Sequence, residues 1–323
     1  MYVHIVHPPE GEARQLLERS LHPDLKMSYG EDLPPGRQID ILVAGRPQKE
    51  LLEQSPNLRA LIIPWAGIPT GTRKLMEEYP EIAVHNLHHN AVPTAELALA
   101  LLLAAAKKVL VYDRALRSND WRLRYQPDDT ILLQGKQALI LGYGEIGRRI
   151  ARVLQALNIE VTAIRRHGSG EEEEGVRVYS PRELDALLPE ADILILALPL
   201  TEETRGWIGE ERLELLPEKA VLVNVSRGPI IDQKALYQAL RSGALAGAGL
   251  DVWYHYPETP EDRRETPPAD YPFQSLENVV LSPHRGGKSP SIESLRMEAL
   301  AVTLNQAVEG NPIPNPVNIQ AGY

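Results

Sequence analysis

Short apolar runs alternate with longer segments of helical spacing along most of this chain. In the first third, Tyr2–Val6, Ile39–Ala44, Leu58–Ile63 and Ile82–His85 read as strands, and Glu12–Arg19 and Lys49–Gln54 read as helices between them. A long Ala/Leu helix begins at Thr94, with Glu96 in its first turn and Lys107-Lys108 further along, a charge order that suits the helix dipole. After a turn-rich stretch, a second strand series follows: Gln137–Leu141, Glu160–Ile164, Asp192–Leu198, Ala220–Val225, Gly247–Val252 and Val279–Ser282. These runs are continuously apolar rather than alternating, as expected of central parallel strands covered on both faces. Ser291–Glu309 returns to helical spacing, and the Pro/Asn-rich tail from Gly310 reads as irregular. The pattern predicts an α/β chain in which a domain near 95–286 is inserted into a smaller one built from 1–94 and 287–323.

Length and composition agree with that division. A chain of 323 residues is comfortable for two domains, and the formal net charge of −10 disfavours nucleic acid or an anionic membrane as a general partner. Leu97–Ala106, the most apolar stretch, falls well short of the about 20 residues that a membrane span requires, so it reads as a buried helix. No signal peptide is visible before the first strand, which makes a cytoplasmic location the expectation. The absence of cysteine excludes disulfides, thiolate metal sites and thiol nucleophiles. No histidine cluster has metal-ligand spacing, so no metal is expected. The acidic run Glu171–Glu174 reads as a solvated loop.

The strongest local motif is Gly142-Tyr143-Gly144-Glu145-Ile146-Gly147, placed after an apolar strand and at the start of a helix. Gly142 permits the sharp turn, Gly144 lets backbone approach a pyrophosphate, and Gly147 allows close packing of helix on strand. At the end of the next strand, an NAD site normally carries an acid for the ribose 2′-hydroxyl. Here Ile164 is followed by Arg165-Arg166, two guanidiniums that suit a 2′-phosphate and so favour NADP over NAD. The plainer alternative is a pair of solvated loop charges, partly balanced by Glu171–Glu174.

Several spaced motifs in one order extend this picture. They are Asn90–Glu96, Gly135-Lys136, Ala197-Leu198-Pro199-Leu200-Thr201 with Thr204, Val223–Asp232, Gly249–Trp253 and Ser282–Gly287. Together with the glycine loop they make the whole chain resemble the D-isomer-specific 2-hydroxyacid dehydrogenase family, in its glyoxylate/hydroxypyruvate reductase-like branch. The resemblance implies a Rossmann cofactor domain inserted into a flavodoxin-like substrate domain, two doubly wound parallel-sheet domains with a cleft between them, and a homodimer. It implies that Arg227 binds the carboxylate and carbonyl oxygen of a 2-keto acid, and that His284 transfers the proton. It assigns Asp251 to the nicotinamide carboxamide, and the backbone N–H groups around Ala66 and Gly67 to the substrate carboxylate. Thr94, Leu198, Pro199, Thr204, Val225, Ser226 and Gly286 complete the implied cofactor contacts. The chemistry agrees independently, since hydride transfer to a keto acid builds negative charge on oxygen, where a fixed cation and a proton donor must converge.

One position departs from the family. A glutamate that normally precedes the proline after the Leu-Asp-Val segment is replaced by Tyr256, directly before Pro257, and Glu258 substitutes only if the loop shifts. A neutral phenol cannot stabilise imidazolium by charge, so His284 is expected to titrate lower than in glutamate-bearing relatives. Two other functions fit this family: oxidation of a small anion, as by formate or phosphite dehydrogenases, and cofactor sensing with little turnover.

Overall fold

The computed structural model describes residues 1–322. The chain divides into two compact units, Met1–Asn90 with Lys288–Tyr323, and Ala91–Gly287.

The first unit runs β1 (Tyr2–Ile5), α1 (Gly11–Ser20), β2 (Lys26–Tyr29), β3 (Ile41–Val43), α2 (Lys49–Glu53), β4 (Ala60–Ile63), α3 (Thr70–Met76) and β5 (Ala83–Asn86). Its five strands form one sheet in the order β2-β1-β3-β4-β5, and every pairing is parallel. That is the flavodoxin-like winding that the family resemblance implies. β3 and β4 are buried throughout, which explains their unbroken Ile/Leu/Val character.

The second unit begins with α4 (Ala91–Ala106) and α5 (Val109–Arg117), then β6 (Gln137–Leu141), α6 (Glu145–Ala156), β7 (Glu160–Ile164), β8 (Glu172–Glu173) and β9 (Val176–Tyr179). It continues with α7 (Leu184–Leu187), β10 (Ile193–Leu196), α8 (Glu210–Glu214), β11 (Ala220–Asn224), α9 (Gln233–Ser242), β12 (Leu245–Leu250) and β13 (Val279–Leu281). The final helix, α10 (Ile292–Val308), returns to the first unit. The eight strands of the second unit are ordered β13-β12-β11-β10-β6-β7-β9-β8, all parallel except the β8–β9 pair. Apart from the edge strands β8 and β13, this is the Rossmann order, with the winding reversed between β6 and β10. One apolar cluster under this sheet gathers Leu141, Leu196, Leu222 and Phe273, and the other gathers Leu102, Ile140, Ile150 and Val223.

The acidic run is not the solvated loop expected from its charge. Glu172 and Glu173 form β8, and Glu173 and Glu174 are each ion-paired to arginines. No helix among the described residues is long and apolar enough to cross a membrane, and none of their His, Cys, Asp and Glu side chains group in a way that would hold a metal.

Candidate active site

Apart from Gly135-Lys136, which leads into β6, and the Asn90–Glu96 helix start, the motif residues of the second unit follow its parallel strands, on the carboxyl side of the sheet. In an open α/β sheet, ligands bind outside these strand ends, at the point where the strand order reverses.

At that reversal, the turn after β6 is fixed by two glycines. Gly142 has a φ of +102°, and a Cβ there would stand 2.4 Å from the Ala197 carbonyl oxygen, so only glycine fits. A Cβ on Gly147 would meet the Gly142 carbonyl oxygen at 2.1 Å, which seats α6 directly on the turn. Gly144 differs, because a Cβ there would meet nothing within 4 Å. It precedes α6, whose N-terminus has no side-chain cap. An open backbone surface at an uncapped helix N-terminus fits the pyrophosphate of the dinucleotide that the motif implies. Tyr143 contributes only backbone to this surface, since its ring is buried in the core beneath the Arg148 guanidinium and its hydroxyl donates to the Glu173 carbonyl at 3.3 Å. Glu145 and Ile146 follow in the first turn of the helix, Glu145 paired with Arg149.

Arg165 and Arg166 follow β7 as the sequence indicated, and both carry carboxylate partners. Arg165 donates to both oxygens of Glu173, at 3.1 and 2.5 Å, and Arg166 donates to Glu203 at 2.7 Å. Arg148 also reaches Glu173, at 2.7 Å. Glu173 is held below the usual carboxylate range, first by its hydrogen bond from Arg165. The Arg165 contact agrees with the plainer alternative, in which Glu171–Glu174 partly balance these arginines, whereas the Arg148 contact crosses from α6 and was not revealed by spacing.

The loop after β10 is closed by Thr204, whose hydroxyl donates to the Pro199 carbonyl at 2.8 Å and accepts from the Thr201 N–H at 2.7 Å. It is joined to the loop after β11 by the Ser226 hydroxyl, which donates to the Leu198 carbonyl. Val225 and Ser226 are buried and Arg227 is exposed beyond them. Arg227 donates to the Ser226 carbonyl at 2.7 Å and makes no ion pair with the described residues of its own unit. A Cβ on the next residue, Gly228, would stand 2.4 Å from the Trp253 carbonyl oxygen. The Arg227 loop therefore packs tightly on the segment after β12.

That segment holds Asp251 and Tyr256. Asp251 is buried, and its carboxylate accepts from the Ser282 hydroxyl at 2.5 Å, the Arg285 N–H at 2.7 Å and the Gly286 N–H at 2.8 Å. Trp253 adds a fourth tie, donating from its indole to the Ser282 carbonyl at 2.8 Å. The loop so anchored carries His284, whose φ of +57° lies in the left-handed region that non-glycine residues rarely adopt. The anchoring role of Asp251 was missed from sequence, because its partners lie 31 to 35 residues away. Thr94 and Gly286 belong to the same corner: a Cβ on Gly286 would touch the Asp251 carboxylate and the Thr94 side chain.

Tyr256 and His284 face each other, with ring centroids 5.5 Å apart and planes tilted by 53°. The Tyr256 oxygen accepts from the Trp253 N–H at 3.1 Å. Partial burial pushes this phenol above its usual value, against opposing pulls from that hydrogen bond and the Arg227 charge. Glu258 is exposed and pairs with none of the described residues. In the first unit, Ala66 and Gly67 follow β4, beside Trp65, whose indole covers Gly45 so closely that a Cβ there would overlap it. The Ala66 carbonyl accepts from Asn86 at 2.6 Å.

Residues 99–286 match the model of the D-isomer specific 2-hydroxyacid dehydrogenase NAD binding domain. A glyoxylate reductase of Korarchaeum cryptofilum is 41% identical over 230 residues, which is 70% of this chain and 65% of that protein. The chain thus spans slightly less than two thirds of that relative. A glyoxylate reductase of Pyrococcus furiosus is 34% identical over 299 residues, 87% of this chain and 83% of that one. Among solved structures, a D-isomer specific 2-hydroxyacid dehydrogenase from Xanthobacter autotrophicus Py2, in complex with NADPH and MES, superposes with a TM-score of 0.79 at 25% identity, covering 100% of this chain and 99% of that one. The chain belongs to the D-isomer-specific 2-hydroxyacid dehydrogenase family, NAD(P)-dependent oxidoreductases that act on CH–OH donors.

Proposed function

We propose that this chain reduces small 2-keto acids such as glyoxylate, hydroxypyruvate or pyruvate to 2-hydroxy acids, with NADPH preferred over NADH. The observation that carries this reading is the gathering of Arg227, Tyr256 and His284 on loops that follow three adjacent strands, with the His284 loop pinned by a buried carboxylate. A nicotinamide, when bound, supplies the hydride for C2 of the keto acid. Arg227 offers its remaining N–H groups to the substrate carboxylate and to the carbonyl oxygen, where negative charge develops. His284 gives its proton to that oxygen in reduction and takes it back in the reverse direction. The ties from Asp251 and Trp253 hold His284 in a backbone conformation that costs about 1–2 kcal/mol, so the imidazole is placed before substrate arrives. Asp251 keeps one lone pair on Oδ2 for the carboxamide role, and the Ala66 and Gly67 N–H groups serve the carboxylate. The preference for NADPH rests on Arg165 and Arg166.

The test is a panel of 2-keto acids assayed with NADPH and with NADH, with Arg227→Ala and His284→Ala as controls. Turnover with an NADPH preference is expected, and each substitution should lower kcat/KM by roughly 10²-fold or more. Absence of turnover with any keto acid and either cofactor would overturn the proposal. Preference for NADH would overturn the role given to Arg165 and Arg166.

We further propose that the active form is a homodimer joined through the second unit, on the apolar surface of α5 and the residues after it.

A further inference from the structure

The arginines on which the proposed NADPH preference rests already carry carboxylate partners. Arg165 has both of its terminal nitrogens on the two oxygens of Glu173, and Arg148 holds the same carboxylate from α6. Glu173 is placed there by the β8–β9 hairpin, whose antiparallel register sets Glu173 opposite Val176. The hairpin is fixed to the glycine turn through the Tyr143 hydroxyl on the Glu173 carbonyl, and to α6 through the Arg152–Glu174 pair. Around the end of β7, three guanidiniums (Arg148, Arg165 and Arg166) therefore face two carboxylates, Glu173 and Glu203. The two acids are unequal. Glu203 has a side-chain exposure of 77% and a single contact, whereas Glu173 is at 31% and bridges two arginines. Solvent screens the first far more than the second.

We propose that Glu173 sets the cofactor discrimination of this enzyme, by competing with the 2′-phosphate for Arg165. This rests on the reading of Arg165 as the phosphate ligand. A dianion arriving at Arg165 meets a carboxylate already bound in its fork, and must displace it or accept its repulsion at close range. A ribose 2′-hydroxyl carries no charge and meets no such opposition. Glu173 thus narrows the gap between the two cofactors that the paired arginines would otherwise open.

The experiment is calorimetric and needs no turnover: titrate the whole chain with adenosine 2′,5′-bisphosphate and with 5′-AMP, and take the ratio of their affinities. Glu173→Gln keeps the shape and removes the charge, and should raise the ratio roughly five- to tenfold. Glu174→Gln removes an equal charge from the same hairpin, on Arg152 instead, and should leave the ratio within about twofold. Arg165→Ala should lower the ratio. If Arg165→Ala lowers it but Glu173→Gln does not raise it, Glu173 is no competitor and the inference alone fails. An equal rise in both glutamate variants would show bulk charge at work and would also overturn it. If Arg165→Ala leaves the ratio unchanged, the NADPH reading through Arg165 fails and takes the inference with it.

Discussion

Tyr256 stands against His284 where a carboxylate would hold a proton on the imidazole. Its hydroxyl oxygen accepts from Trp253, and a phenol is neutral near neutral pH even before partial burial pushes it further up. It therefore supplies shape and van der Waals contact, with no charge to favour imidazolium. In reduction His284 must enter protonated, so the rate falls as pH rises through its titration. A carboxylate at this position stabilises the protonated form and moves that fall to higher pH. Tyr256→Glu is accordingly expected to shift the descending limb of the reductive kcat/KM profile upward by about one unit or more. Tyr256→Phe, which loses only the contact with Trp253, should leave the limb in place. A limb that does not move in the glutamate variant would show that this position does not govern the proton on His284.

At the scale of elements, the turn from β6 into α6 separates two duties that its glycines share in the sequence. Gly147→Ala pushes a methyl into the Gly142 carbonyl, a backbone atom that cannot step aside, and should destabilise the chain by about 2 kcal/mol or more. Gly144→Ala enters open space and should cost at most about 1 kcal/mol, the ordinary penalty of alanine at a helix N-cap. Its methyl nonetheless lies where a pyrophosphate is expected, so NADPH affinity should fall roughly tenfold or more. Thermal unfolding and fluorescence titration with NADPH, run on both variants, check the pair. Equal stability losses would mean that Gly144 is structural too. The same division explains what was legible in the sequence. Buried strands such as β4, β6, β10 and β11 announce themselves as unbroken apolar runs. β2 and β8 do not, because they lie at sheet edges, contain no buried residue and read as polar loop. In the site, the glycine turn was readable from its place between a strand and a helix, whereas Arg227 and His284 were named through the family resemblance. The anchoring of the His284 loop by Asp251 was not readable, since side-chain pairing across elements leaves no periodic trace; a balance of Arg165 by the acidic run was one reading of the sequence, but not the single bidentate partner Glu173.

At the scale of the molecule, the second unit leaves apolar surface uncovered along one stretch of chain. No residue of α5 is buried, although it contains Val109, Leu110 and Leu116, each exposed by more than a third. Trp121, Tyr125 and Leu132 follow at 60%, 82% and 69% exposure. Single exposed apolar residues are ordinary on any protein, but six within one segment of 24 residues are a concentration that a monomer rarely keeps in water. Aromatic anchors flanked by arginines (Arg114, Arg117, Arg122, Arg124) match the composition of interface cores more than that of a solvated face. In the proposed homodimer a second copy of the same chain is the occupant, and a two-fold pairing would set this surface against itself. Sedimentation should therefore find a species of twice 35.9 kDa. The double substitution Leu116→Asp with Trp121→Asp buries two carboxylates in that contact, and should shift the protein to monomer at micromolar concentration. Neither residue lies in the strand-end loops, so the monomer should still bind NADPH, which fluorescence titration reads directly. A wild-type chain that sediments as monomer would overturn the proposed dimer, and a double variant that stays dimeric would place the interface elsewhere.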